Sequence, residues 1–100
     1  MNKINIFLDD CRNTPQGFIR TYTVEETISL LEQYKGMIGV VSLDNDLGEG
    51  LQEGYKVAEW LEENVMVNNY PLPDRVIAHS MNPIACRRIQ TIIHRLYKDE

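Results

Sequence analysis

The sequence has few of the residues that mark exported or membrane-inserted proteins. Its two cysteines, Cys11 and Cys86, form no CxxC pair and have no zinc-like histidine spacing. A disulfide framework is therefore excluded, and reduced thiols in the cytoplasm are the expected state. No apolar run approaches the ~20 residues of a membrane helix. The first one, residues 4–8, is also too short for a signal peptide. We expect a cytoplasmic protein with no membrane contact.

An excess of positive charge is also absent. The formal net charge of −5 argues against broad non-specific binding of DNA or RNA. The bases that do occur are concentrated between Arg75 and Lys98, where there is no acid, and we interpret them as a solvated helix face. One hundred residues are too few for a second hydrophobic core. The prediction is one domain over residues 1–100, as a monomer or a weak homodimer.

Hydrophobic periodicity predicts strands that alternate with helices. Short apolar, β-prone runs predict strands over residues 4–8, 18–22, 39–43 and 75–79. Helical spacing predicts helices from Thr23 to Gly36, over about 54–67, and from Pro83 onward with Asn82 as its cap. Residues 11–17 have the composition of a loop. This alternation indicates a parallel sheet with right-handed crossovers.

Acidic residues follow two of the predicted buried strands. Asp9 and Asp10 end the first strand, and Asp44 and Asp46 follow the third. The carboxyl ends of parallel strands meet at one edge of a sheet, so these acids are expected within a few ångströms of each other. Mutual repulsion would raise some of their pKa values unless a cation is bound. A single Asp after a strand is as readily a turn residue. Two such clusters favour a site for Mg²⁺ or Mn²⁺ on Asp9, Asp10 and Asp44, supported by Asp46.

The fourth predicted strand ends in groups that suit a phosphate. His79 and Ser80 are followed by Asn82 and a helix start, whose free amides favour an anion. Histidine suits proton transfer near neutral pH, although a single histidine is often only a packed residue. Arg12 follows the first acid pair, where it can contact a phosphate or pair with one of the acids. Together with the acids, these residues predict a phosphoryl site.

Four short motifs occur in an order that resembles a known family. They are LDDCR at 8–12, SLDNDLG at 42–48, Gly54-Tyr55 with Trp60-Leu61, and HSMNP at 79–83. The order is similar to that of the receiver domain of two-component signalling, and more closely to the cyclic-phosphate processing receiver domain. The resemblance implies a small flavodoxin- or receiver-like three-layer α/β sandwich. Its four-stranded parallel sheet would have the order 2-1-3-4, truncated relative to a full receiver domain.

The resemblance also implies a function. It is metal-dependent hydrolysis of cyclic phosphates on nucleotides or RNA ends, with Mg²⁺ or Mn²⁺ as cofactor. Asp44 matches the phosphoacceptor position, where it would hold the metal or attack as a nucleophile, and Asp9 and Asp10 match the metal positions. The predicted catalytic residues are Asp44, Asp46 and His79, and the predicted phosphate-binding residues are Arg12, Asn45, Ser80 and Asn82.

Two departures from the family pattern keep other functions open. Asn45 stands where the closer family usually has histidine, and an amide can donate a hydrogen bond but cannot exchange a proton. This favours an alternative in which the domain binds or sequesters a cyclic-phosphate nucleotide without turnover. No strand bearing the receiver lysine follows the last predicted helix, which argues against ordinary phosphorelay signalling. A phosphoacceptor or partner-interaction module is the remaining alternative.

Overall fold

The computed structural model describes residues 2–80 and 83–98, which form a parallel sheet packed against helices. The strands are β1 (Ile4–Leu8), β2 (Ile19–Thr21), β3 (Ile38–Leu43) and β4 (Arg75–Ala78), and the helices are α1 (Val24–Gln33), α2 (Tyr55–Asn68) and α3 (Pro83–Tyr97). The sheet has the order β2-β1-β3-β4, and every neighbouring pair is parallel. The structure confirms the predicted fold class and strand order. It also confirms that the segment between β1 and β2 is a loop and not a helix.

A bulge sets the register between the two central strands. Ile4 pairs with Ile38 and Ile6 with Val41, so β3 carries one residue more than β1 over this stretch. The amide of Val40 donates to Oδ1 of the Asn5 side chain at 2.8 Å, which replaces a backbone acceptor at the bulge. A Cβ on Gly39 would overlap that same oxygen, so a larger residue there would displace the Asn5 side chain from this contact. Beyond the bulge, Leu8 lies beside Leu43, and the acids after both strands emerge at the same level.

One continuous core joins one face of the sheet to all three helices. It contains alternate residues of the strands and the inner faces of the helices: Ile6, Leu8, Val41, Leu43, Val76, Val24, Leu31, Val57, Ala58, Leu61, Ile89 and Ile92. In addition, α2 contacts both α1 and α3. The helices therefore form one row on one face of the sheet.

Within the described residues, the sheet has helices on one face only. The handedness of crossovers explains this arrangement. The connections from β2 to β3 and from β3 to β4 cross the sheet in the same direction, so right-handed crossovers place both helices on the same side. A helix on the opposite side would require the reverse connection from β1 to β2, which is a loop here. On that opposite face, Phe7 packs edge-on against Phe18.

Local signals determine where the helices begin and end. Thr23 and Glu26 form the predicted capping box, in which the Glu26 amide donates to Thr23 Oγ1 at 3.1 Å and the Thr23 amide donates to Glu26 Oε1 at 3.2 Å. Asn69 ends α2 in the left-handed conformation, with φ of 55°. The predicted cap of α3, Asn82, lies outside the described residues. Within those residues, no helix combines the length and apolar character needed to cross a membrane.

Candidate metal and phosphate site

A cleft of about 510 Å³ opens at the carboxyl edge of the sheet, where the loops after β1, β3 and β4 meet. Its lining residues are Asp10, Cys11, Arg12, Asp44, Asn45, Asp46, Glu53, Ser80 and Ala85. Six of the predicted site residues line the cleft, and two more, Asp9 and His79, lie against it. The ninth, Asn82, falls outside the described residues.

Asp9 is fully buried at the end of β1, and both of its carboxylate oxygens are occupied. Oδ1 accepts hydrogen bonds from the amides of Cys11 at 2.8 Å and Arg12 at 2.9 Å, and Oδ2 lies 2.8 Å from His79 Nε2. Burial raises the pKa of Asp9, but the two amides and the neighbouring imidazole outweigh it and leave the pKa below its ordinary value. Asp9 is therefore an ionised, rigidly held carboxylate.

His79 connects Asp9 to a buried serine. Its Nδ1 lies 2.6 Å from Ser42 Oγ, and its ring stacks on Phe7 with centroids 4.5 Å apart and an interplanar angle of 4°. A carboxylate only accepts hydrogen bonds, so the contact with Asp9 assigns the proton to Nε2 in the neutral imidazole. Nδ1 then accepts a hydrogen bond from the Ser42 hydroxyl. Because both ring nitrogens are engaged, His79 would have to exchange one of these hydrogen bonds to bind a metal or to transfer a proton.

Asp44 completes a group of three possible metal ligands. Its backbone amide donates to the Leu8 carbonyl at 2.9 Å, so the loop after β3 starts in contact with the end of β1. Ligand atoms of Asp9, Asp44 and His79 all lie within 4.8 Å of one another. Burial and the charge of Asp9 raise the pKa of Asp44, against smaller opposing effects of the Asp46 amide and His79, and Asp10 raises it further. The repulsion expected from the sequence is therefore present.

The loop after Asp44 is held by the first turn of α2. Asn45 is buried, its Oδ1 accepts from the Tyr55 amide at 3.0 Å, and its carbonyl accepts from the Gly54 amide at 2.8 Å. A Cβ on Gly54 would overlap the Asp44 carbonyl oxygen, so the close approach requires glycine. Asp46 is exposed, and its Oδ1 accepts from the Gly48 amide at 3.3 Å. Asn45 therefore caps a helix and lines the cleft at the same time.

Arg20, which the sequence analysis did not single out, shapes the loop after β1. Its Nε donates to the Asp9 carbonyl at 2.9 Å, and its Nη1 donates to the Arg12 carbonyl at 2.6 Å and to Thr14 Oγ1 at 2.8 Å. These bonds hold the loop so that the exposed Arg12 side chain lines the cleft. The backbone amide of Arg12 contacts Asp9.

Three residues that hold the site were given no role from the sequence, although two of them, Ser42 and Gly54, lie in the motifs that carry the resemblance. Ser42 is a hydroxyl within an otherwise apolar buried strand, and Gly54 stands where a helix begins. Each is a local exception that points to a specific contact. Arg20 had no such signal, because a polar residue in a short edge strand is ordinary.

A parallel sheet in the order 2-1-3-4, with acids after its two central strands and a hydroxyl after the fourth, defines a receiver-like α/β protein. Within that class, the chain belongs to the cyclic-phosphate processing receiver domain family, whose model matches residues 4–95. The resemblance drawn from the four motifs is thereby confirmed. Comparisons with curated proteins and with solved structures gave no significant match.

Proposed function

We propose that the chain binds the cyclic phosphate of a nucleotide or RNA end in this cleft and opens the ring by hydrolysis with Mg²⁺ or Mn²⁺. The observation that carries the proposal is the cluster of Asp9, Asp44 and His79, whose ligand atoms lie within 4.8 Å of one another beside a cleft that also contains Arg12. The description of the family as cyclic-phosphate processing supplies the substrate class.

The residues present fit a divalent cation. Asp44 and Asp9 are buried carboxylates whose mutual repulsion a cation would relieve, and Asp10 adds a third carboxylate at the cleft. Hard oxygen donors of this kind suit Mg²⁺ or Mn²⁺. When bound, such an ion supplies positive charge to phosphoryl oxygens and lowers the pKa of water.

The remaining cleft residues have roles in binding and proton transfer. The Arg12 guanidinium can pair with phosphate oxygens. The side-chain nitrogen of Asn45 can donate a hydrogen bond to them, because its Oδ1 already accepts one from the Tyr55 amide. Asp46 is an exposed carboxylate that can accept a proton from the attacking water. Ser80 also lines the cleft as a candidate phosphate contact, and the role predicted for Asn82 stays a prediction.

A turnover assay tests the proposal. The protein is incubated with 2′,3′-cyclic and 3′,5′-cyclic nucleotides, with cyclic oligonucleotides, and with RNA ending in a cyclic phosphate, each with Mg²⁺, with Mn²⁺ and with chelator. We expect ring opening of at least one substrate class that stops in chelator. Activity that persists undiminished in chelator would refute the metal-dependent reaction.

Matched variants separate the site from general effects on the fold. Asp44→Asn is expected to lower kcat by at least about 100-fold, because it removes a metal ligand. Asp74→Asn makes the same chemical change just before β4, at the opposite edge of the sheet, where Asp74 pairs with Lys3. It should leave turnover unchanged. Equal losses in both variants would contradict the assignment of the site.

The position of Asn45 favours a second candidate function, binding without turnover. Its side chain is committed to the start of α2 and cannot exchange a proton. Saturable, cation-dependent binding of a cyclic nucleotide with no ring opening would establish this function in place of hydrolysis. Turnover gained in Asn45→His would then show that the missing proton-transfer group had limited the reaction.

A further inference from the structure

The cleft extends beyond the space that a phosphate needs. Its volume of about 510 Å³ is in the range of pockets that hold small organic molecules. On the side of α2 and α3 it is lined by Glu53 and Ala85 rather than by the acids of β1 and β3. A nucleotide whose phosphate lies near Asp44 has room there for the rest of the molecule.

Glu53 is held at this side by the same loop that carries Asp44. The next residue, Gly54, donates its amide to the Asn45 carbonyl at 2.8 Å, and the Glu53 carbonyl accepts from the Lys56 amide at 3.0 Å. The Glu53 side chain is 53% exposed. The backbone is therefore anchored while the carboxylate remains open to a ligand.

The planar guanidinium of Arg88 lies next to this carboxylate and packs on the Tyr55 ring. Its Cζ is 3.7 Å from the centroid of the Tyr55 ring, and its Nη1 is 3.8 Å from Glu53 Oε1. Tyr55 is itself positioned by Asn45, whose Oδ1 accepts a hydrogen bond from the Tyr55 backbone amide. Arg88 is not among the residues that line the cleft; with Tyr55 it lines the adjoining groove between α2 and α3, and its contact with Glu53 joins the two. The Arg88 side chain is 62% exposed, which leaves one face of the guanidinium open.

We propose that Glu53 and Arg88 form a subsite that selects guanine as the base of the bound nucleotide. Guanine presents two adjacent donors, N1–H and the N2 amino group, which one carboxylate can accept together. Adenine presents an acceptor at N1, and cytosine and uracil each present a single donor beside an acceptor, so a carboxylate pairs with them less well. A base can also stack on the open face of Arg88. The inference rests on the proposed binding of a cyclic nucleotide.

Binding of three related purine nucleotides tests the subsite. The probes are 2′,3′-cyclic GMP, 2′,3′-cyclic IMP and 2′,3′-cyclic AMP, titrated calorimetrically into the full chain with Mg²⁺, and compared by kcat/KM where turnover is fast. Hypoxanthine keeps N1–H but lacks the amino group. We therefore expect affinity to fall from GMP to IMP to AMP, with about a tenfold difference between the first and the last.

Two variants distinguish reading of the base from stacking. Glu53→Gln should reduce the preference for GMP over AMP to about twofold or less, because an amide offers a single acceptor oxygen. Arg88→Ala should lower the affinity for all three nucleotides by a similar factor of about three to ten, because stacking does not depend on the identity of the base. Glu59→Gln and Arg87→Ala, which change exposed residues on the same two helices, are the controls and should bind as the unmodified chain does.

Each outcome supports or overturns a defined statement. Equal affinity for all three nucleotides would overturn the guanine subsite and leave the proposed function standing. A preference that survives in Glu53→Gln would overturn the role of Glu53. If none of the three binds to the unmodified chain with Mg²⁺, the guanine subsite is overturned, and the turnover assay with the wider substrate panel decides the proposed function. Circular dichroism of each variant confirms folding, which these exposed side chains should not affect.

Discussion

At the scale of single residues, the site depends on contacts that hold its charged groups in place. Asp9 is fixed by two backbone amides and by His79, and His79 is fixed in turn by Ser42 and Phe7. A carboxylate held by several partners loses little conformational freedom when a ligand binds. Residues that never line the cleft can therefore affect what it binds.

Ser42→Ala should weaken the site without changing any residue that lines the cleft. The substitution leaves His79 Nδ1 without its serine partner, so the ring is held less firmly against Asp9. We expect affinity for Mg²⁺ to fall roughly tenfold. Long-range proton–nitrogen correlation spectra should show the His79 proton on Nε2 in both chains, because Asp9 still accepts it, and a changed Nδ1 shift in the variant, because the serine hydrogen bond is lost. Ser29→Ala, an exposed change on α1, is the control. Unchanged spectra and affinity would contradict this role of Ser42.

Gly54→Ala should destabilise the fold through a steric clash. The new Cβ would overlap the Asp44 carbonyl, and overpacking against backbone costs about 2 kcal/mol or more. The φ angle of Gly54 is −61°, so conformational strain plays no part. Gly17→Ala provides the contrast, because its Cβ would meet nothing within 4 Å but its φ is +88°. That variant should lose only about 1 kcal/mol. The free energies of unfolding in urea measure both, and equal losses would rule out the clash.

At the scale of secondary-structure elements, the helices are joined by side-chain pairs as well as by the core. Arg95 on α3 binds Glu62 on α2 through two hydrogen bonds, of 2.6 and 2.9 Å. This pairing lowers the pKa of Glu62, against a smaller effect of burial that raises it. The contribution of the pair to stability must therefore depend on pH.

Glu62→Gln should lower the Tm at pH 7 and have a smaller effect in acid. A carboxylate whose pKa is lower in the folded state stabilises the fold above its unfolded pKa, about 4.3. That contribution is lost as the pH falls through the folded pKa, so the two Tm values should converge at low pH. Glu63→Gln, an exposed neighbour on α2, should lower the Tm much less. A difference between Glu62→Gln and the unmodified chain that stays constant from pH 7 to pH 3 would contradict the ion pair.

At the scale of the whole molecule, the cleft places like charges together at the expense of stability. Asp9, Asp10 and Asp44 gather at one edge of the sheet, and the raised pKa of Asp44, caused by burial and by Asp9, records the cost of ionising them together. A bound cation would relieve this repulsion. Stability of the fold and occupancy of the site are therefore expected to be linked.

Mg²⁺ should raise the Tm of the unmodified chain. At a Mg²⁺ concentration of ten times its Kd, the free energy of unfolding should increase by about 1.4 kcal/mol. Asp44→Asn should raise the Tm without added cation, because it removes one of the repelling charges, and should abolish most of the Mg²⁺ effect. Differential scanning calorimetry with Mg²⁺ and with chelator measures both. Asp74→Asn should show neither effect. A Tm of the Asp44→Asn variant below that of the unmodified chain in chelator would contradict the proposed repulsion.

Local patterns in the sequence are sufficient to predict the helices and strands and the polar groups at their ends. Apolar runs and helical patterns are local, so β1 was predicted with the observed bounds and the capping box of α1 with its observed partners. Acids after two buried strands must share an edge in a parallel sheet, so the grouping of Asp9 with Asp44 also followed from the pattern. The motifs were sufficient to predict the family that residues 4–95 match.

The arrangement of the helices and the contacts of the polar groups depend on how whole elements pack together. Placing all three helices on one face follows from the directions of the crossovers, a property of strand order that no single segment contains. Contacts such as Ser42 with His79 and Arg88 with Tyr55 join residues far apart in the chain, and their distances depend on the packing of whole elements. Local patterns act over a few residues, whereas side-chain partners are chosen by the complete fold.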